Sequence, residues 1–110
     1  MKRYVIDIDG TICHSDGAYE ESQPIISRIA IMNRKYDDGD YIVYYTARGM
    51  GTTSNDRDAA YNKYYQLTER QLNSWGVRYH ELWLGKPAGD VYVDDRGINA
   101  TTFFGDEIEY

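Results

Sequence analysis

Two hydrophobic periods alternate along the chain. From Arg3 to Ile8, the β-formers Tyr4, Val5, Ile6 and Ile8 predict a first strand. Thr11–Ser22 is polar and turn-rich. The period then lengthens. Ile25, Ile29, Met32 and Tyr36 recur at helical spacing, with Pro24 at the helix start and Gly39 past its end. Tyr41–Tyr45 is a near-continuous apolar run, the pattern of a strand covered on both faces. "TARGMGTTSN" follows as a loop and Asp56–Gln66 as a helix. "TERQ" at Thr68–Gln71 has the form of a capping box and predicts a fresh helix start or a kink, with that helix stopping at Gly76. Tyr79–Leu84 reads as a third strand, Val91–Val93 as a short fourth and Thr101–Phe104 as a fifth, with a frayed Glu-rich end.

Strands alternating with helices imply an α/β fold: a Rossmann-like, three-layer arrangement with a parallel sheet and helices on both faces. Ligands in such sheets bind outside the carboxyl ends of the strands. Asp7 and Asp9, Thr46, and Asp94 and Asp95 all fall at the ends of apolar strands, so they are expected to converge on one sheet edge.

Composition narrows the class without changing the fold. The chain has 110 residues, enough for one domain over residues 1–110. A net charge of −6 argues against a general nucleic-acid or membrane-surface binder, which needs a basic face. Cys13 is the only cysteine, which fits a reducing compartment. The opening "MKRYVIDIDG" has no apolar leader, and no apolar run approaches a membrane span, so a cytoplasmic location is expected.

The chemistry follows from the carboxylates. Asp7 and Asp9 sit two apart, where like charges repel. Three or more carboxylates at one edge make a hard-cation site, and Mg²⁺ next to an open face is typical of phosphate chemistry. Thr46 offers a hydroxyl, Lys86 a point charge, and Gly10 and Thr11 a tight turn with exposed backbone N–H groups for an anion. Ala47 and Arg48 of "TAR" and Arg96 of "DDR" are further substrate-binding candidates. An EF-hand start is excluded, because Thr11, Ile12 and Cys13 are not acidic. His80 and the tyrosines at 61, 64 and 65 read as packing residues; His14 lies in the turn-rich flap. Cys13 lacks a partner base.

"DIDGTI", "YYTAR", "GKP" and "VYVDDR" resemble, in order, the four motifs of the haloacid dehalogenase superfamily of phosphotransferases. The resemblance spans residues 5–96. It implies that Asp7 is the nucleophile that attacks phosphorus and becomes an aspartyl phosphate. Asp9 would be the general acid and base, and Thr46 and Lys86 would hold the phosphoryl group. Mg²⁺ would be held by Asp7, by the Asp9 carbonyl and by the last motif, with Asp95 preferred as the direct ligand and Asp94 behind it. An Asp that protonates a leaving group needs a raised pKa, which a neighbouring anion can supply. Neither gap between motifs holds a cap domain, which implies large substrates or an oligomer whose neighbour supplies a lid. Within the superfamily the chain is similar to small capless phosphatases linked to bacterial capsule and surface-polysaccharide synthesis.

The leading expectation is therefore an Mg²⁺-dependent phosphomonoesterase acting on a small phosphorylated metabolite such as a sugar phosphate. The alternatives are a polynucleotide 3′-phosphatase, against which the net charge counts, and a non-catalytic phosphate-binding protein of the same fold.

Overall fold

The structure is a computed structural model that describes residues 1–108. The chain runs through β1 (Arg3–Ile6), β2 (Cys13–His14), a 3₁₀ turn at Tyr19–Glu21, β3 (Gln23–Pro24) and α1 (Ile26–Asp37). It continues through β4 (Tyr41–Thr46), α2 (Arg57–Ser74), β5 (Glu81–Leu84) and α3 (Ala100–Phe104). β1, β4 and β5 form a parallel sheet in the order β1-β4-β5, and β2 pairs antiparallel with β3 as a separate ribbon. The Rossmann-like α/β fold with a parallel sheet, expected from the sequence, is the one the chain adopts, with its helices on one face of the sheet where both were expected.

β4 lies at the centre, between β1 and β5, and Ile42, Val43 and Tyr44 are all buried. Two faces follow from its alternation. On one, Ile6, Ile42 and Tyr44 join Ile29 and Met32 of α1 and Leu72 of α2 in a single core. Each such side chain contributes about 1.5–3 kcal/mol by leaving water. Asn33 ties α1 to the segment after α2, accepting from the Arg78 N–H and donating to the Gly76 carbonyl. Phe103 and Phe104 of α3 pack on the same core. The helical cover thus gathers on one face. The other presents Arg3, Val5, Val43, Tyr45 and Trp83 around a groove of about 210 Å³.

Several elements differ from expectation. β1 ends at Ile6, before Asp7, and β5 begins at Glu81 instead of Tyr79. Pro24 pairs with Cys13 in the ribbon, and α1 starts only at Ile26. "TERQ" does not interrupt α2, because the Thr68 hydroxyl turns back to the Tyr64 carbonyl instead of capping a new start. The cap that starts α2 is Asp56, which accepts from the Ala59 N–H. Val91–Val93 forms no strand, and its side chains are exposed. Thr101–Phe104 is helical: Asn99 caps the helix by accepting from the Thr101 N–H, and Gly105 ends it with a left-handed φ of 66°. Glu109 and Tyr110, the last of the Glu-rich end, lie outside the described residues.

Candidate active site

The end of β1 places two carboxylates side by side. After Ile6 the chain turns: Ile8 accepts from the Thr11 and Ile12 N–H groups, and the Gly10 N–H donates to Cys13. Gly10 sits at φ 80°, a conformation that glycine adopts without strain. The turn consumes the N–H groups of Gly10 and Thr11, which corrects the expectation that they face an anion. Thr11 serves through its side chain instead, donating to Asp7 Oδ2 at 3.0 Å.

Asp7 and Lys86 meet from the first and last strands, with Lys86 Nζ 3.4 Å from Asp7 Oδ1. The Lys86 N–H donates to the Thr46 carbonyl, fixing the end of β5 against the end of β4. Burial pushes the Asp7 carboxyl above its ordinary value, more than Lys86 and Thr11 offset, and the charge of Asp9 adds to the rise.

Asp9 belongs to a different network, whose hub is Arg48. Arg48, expected as a substrate contact, is 1% exposed, and its donors face protein partners. Its Nε donates to Asp9 Oδ2 at 3.0 Å and its Nη2 to Oδ1 at 3.0 Å, a two-point grip. Its Nη1 donates to Gln71 Oε1 at 2.6 Å and Thr68 Oγ1 at 3.2 Å, both on α2. The ring of Tyr19 lies 4.9 Å from its Cζ, and Gln71 donates to the Tyr19 carbonyl. Ser15 donates to Asp9 Oδ1 at 2.5 Å and bonds Ser22 at 2.7 Å. The flap between β2 and β3 is thereby locked to α2 through Asp9 and Arg48.

Burial alone would push the Asp9 carboxyl up. The bonds and charge of Arg48, with Ser15 and Cys13, outweigh it and hold Asp9 below its ordinary value. The two carboxyls are therefore shifted in opposite senses, and the senses reverse the expectation that Asp9 carries the higher pKa. The cause is Arg48.

Thr46 is nearly buried, and its hydroxyl is engaged: it accepts from the Arg48 N–H at 3.1 Å and lies 3.4 Å from Asp9 Oδ2. Ala47 follows it at the turn, partly exposed. Cys13 is buried, and burial pushes its thiol up to about 11, so it is no nucleophile. His80 is structural: it stacks on Tyr36 and Tyr41, and its Nδ1 accepts from the Ile42 N–H.

Asp94, Asp95 and Arg96 do not join this cluster. Asp94 Oδ1 accepts from the Arg96 and Gly97 N–H groups in its own turn. The Asp95 and Arg96 side chains are 89% and 92% exposed, 3.9 Å from each other. Among the described residues no three His, Cys, Asp or Glu side chains come close enough to hold a metal. The donor chemistry agrees. Asp7 and Asp9 are each matched by one cation, Lys86 and Arg48, so the pair has no spare negative charge for a dication. The residues of one chain do not fit an Mg²⁺ ion as they stand.

Ser15, Ser22, Thr68 and Gln71 escape the sequence reading. The signal is in α2, where Ala60, Tyr64, Thr68, Gln71, Leu72 and Trp75 follow helical spacing. Two polar residues on that otherwise apolar stripe imply a buried polar partner, which is Arg48.

The fold is a known one. The crystal structure of an MCSG target from Vibrio cholerae matches over 98% of this chain and 91% of its own, at a TM-score of 0.88 and 26% identity. The crystal structure of D,D-heptose 1,7-bisphosphate phosphatase from B. bronchiseptica, complexed with magnesium and phosphate, matches over 82% of this chain and 52% of its own, at a TM-score of 0.54 and 18% identity. No family model and no curated protein matches the sequence. Among the described residues no helix is long and apolar enough to cross a membrane.

Proposed function

We propose that the chain is a phosphatase that hydrolyses the phosphate monoester of a small metabolite, a sugar phosphate in the leading case, through an acyl phosphate on Asp7. The carrying observation is the convergence of Asp7, Asp9, Thr46 and Lys86 at the carboxyl ends of β1, β4 and β5. The order of the four motifs supports it. So does the fold shared with D,D-heptose 1,7-bisphosphate phosphatase, named for a phosphorylated sugar.

In this reading an Asp7 oxygen attacks phosphorus. A new O–P bond forms as the ester O–P bond breaks, and the leaving oxygen takes a proton from Asp9 in its neutral form. Lys86 offsets negative charge at the transferring group. Water then attacks the phosphorus of the acyl phosphate. Asp9 accepts its proton, the bond to Asp7 breaks, and inorganic phosphate departs. Held ionised by Arg48, Asp9 is better placed for the second step than for the first, because its bonds to Arg48 favour the charged form.

The test is turnover of para-nitrophenyl phosphate with and without Mg²⁺, followed by a panel of sugar phosphates and a 3′-phosphorylated oligonucleotide. Sugar-phosphate turnover that is lost in Asp7→Asn supports the reading. Preference for the oligonucleotide replaces the substrate class. Phosphate binding without turnover marks a non-catalytic protein.

A further inference from the structure

Two surfaces of this chain are unfinished, and they match. The first is β1, an edge strand paired with β4 alone. Beside it lies the open face of the sheet, where Val5 is 58% and Trp83 48% exposed. The second is the arm of residues 85–99, exposed at every position from 87 to 99. Val91 is 77% and Val93 90% exposed, and Tyr92 and Ile98 are exposed as well. Exposed apolar clusters of this kind mark interaction surfaces.

The arm is held at both ends and bare in the middle. At its start, Lys86 bonds the end of β4 and lies 4.4 Å from the ring of Tyr92. At its end, α3 packs the half-buried Phe103 and Phe104 against the core, and Asp106 pairs with Arg28. Between these anchors "VYV" carries strand-forming residues bounded by "PAGD" and "DDRG", the pattern of a strand with turn residues on each side. The match to the Vibrio cholerae structure covers 98% of this chain, too much to leave out an arm of fifteen residues.

The chain's own arm is too short to finish β1 in parallel. Only six residues, 85–90, separate β5 from Val91. A parallel return needs a crossover of about a dozen residues or more. A second copy has no such constraint.

We propose that two copies exchange these arms. Val91–Val93 of each adds in parallel to the free edge of the other's β1 and carries Asp94 and Asp95 to the partner's Asp7. Placing Val93 opposite Ile6 places Tyr92 opposite Val5. Val91 and Val93 then face the helical core, while Tyr92 extends the open groove beside Val5 and Trp83. The exchange covers both unfinished surfaces, once in each copy.

Charge gives the exchange a chemical consequence. Within one chain, Asp7 and Asp9 cancel Lys86 and Arg48. Asp94 and Asp95 from the partner bring two further carboxylates, with Arg96 3.9 Å from Asp95, and leave the edge net negative, which favours a divalent cation. A shared site of this kind supplies the third carboxylate that a single chain lacks. This use of the exchange rests on the phosphatase reading; the exchange itself does not.

Light scattering after gel filtration tests the exchange without any activity. Wild type is expected at the mass of two chains, and Val93→Asp at the mass of one with an unchanged circular dichroism spectrum. Chains carrying Val5→Cys, mixed with chains carrying Tyr92→Cys, are expected to form an interchain disulfide. A monomeric wild type, or only intrachain disulfide in the doubly substituted chain, overturns the exchange.

The site is tested by co-refolding Asp7→Asn chains with chains carrying both Asp94→Asn and Asp95→Asn. Each variant alone is expected to be inactive towards para-nitrophenyl phosphate with Mg²⁺. Random pairing of two equivalent copies is expected to restore about a quarter of wild-type turnover. A mixture that stays inactive, although cross-linked, overturns the shared site. A wild type without turnover overturns the phosphatase reading and leaves the mass and disulfide results to decide the exchange.

Discussion

The clamp around Arg48 and the arm of residues 85–99 are opposites. In the clamp, a buried guanidinium meets a carboxylate, a glutamine, a threonine and a tyrosine ring, drawn from the β1 turn, the flap and α2. Along the arm, residues 87–99 are all exposed, and among them the Tyr92 hydroxyl and the Asp94 turn bond only nearby backbone. The contrast separates two ways of building a site. Asp7, Asp9 and Lys86 are set by the fold of one chain. Asp94 and Asp95 ride on a segment that the same chain leaves uncovered, so their place depends on what covers it.

The largest effects belong to the clamp side. On the proposed reading, Asp9→Asn removes the proton carrier. Alkyl phosphates, whose leaving oxygen needs a proton, are expected to lose about 10²–10⁴-fold in turnover. Aryl phosphates, whose oxygen leaves as an anion, are expected to lose less in the first step. Steady-state rates on a sugar phosphate and on para-nitrophenyl phosphate make the comparison, and equal losses on both would remove Asp9 from leaving-group protonation.

Stability separates the regions next. Arg48→Ala strands Asp9 and unlocks the flap, at an expected loss of about 3–5 kcal/mol in urea unfolding. Arg48→Lys is expected to recover little, since an ammonium cannot make the guanidinium's simultaneous bonds to Asp9, Gln71 and Thr68. Full recovery by lysine would reduce the clamp to a point charge.

Acid sharpens the same contrast. Arg28 is buried, and its bonds to Asp106 hold that carboxyl below its ordinary value. Asp9 is lowered as well. Groups shifted down stabilise the fold above their unfolded value of 3.8 and lose that contribution as pH falls through the lower folded value. Asp7, shifted up, acts in the opposite sense and gains from protonation. Urea midpoints followed from neutral pH through the carboxylate range should therefore fall with acid, and Asp106→Asn should flatten the fall. The smallest effect is in the arm, where Val93→Ser is expected to change the stability of a lone chain by no more than about 0.5 kcal/mol. A loss as large as that of Arg48→Ala would show that the arm is already packed within one chain.

The strand–helix order and the convergence of Asp7, Thr46 and Lys86 were legible because each rests on local period and on the rule that ligands meet the carboxyl ends of parallel strands. Four things were not. Arg48 reads as a substrate contact beside a strand end, and the packing of α2 shows that Thr68 and Gln71 point at it. "TERQ" has the letters of a capping box, but Tyr64 and Leu72 continue the helix through it, and tertiary packing prevails over the local signal. Val91–Val93 has the propensity of a strand without a partner, because propensity says nothing about which edge is within reach. Thr101–Phe104 carries β-formers, yet Asn99 and Gly105 bracket it as helix caps, and those punctuation marks were the better guide.

The central claim is that Asp7 attacks phosphorus. Its direct test is an acid quench during turnover, followed by borohydride reduction and peptide mass spectrometry. Reduction of an acyl phosphate converts the aspartate that carried it to homoserine. Conversion at residue 7 alone, and only when substrate is present, is the predicted result. Undiminished turnover with residue 7 unconverted, or conversion at another carboxylate, would contradict it.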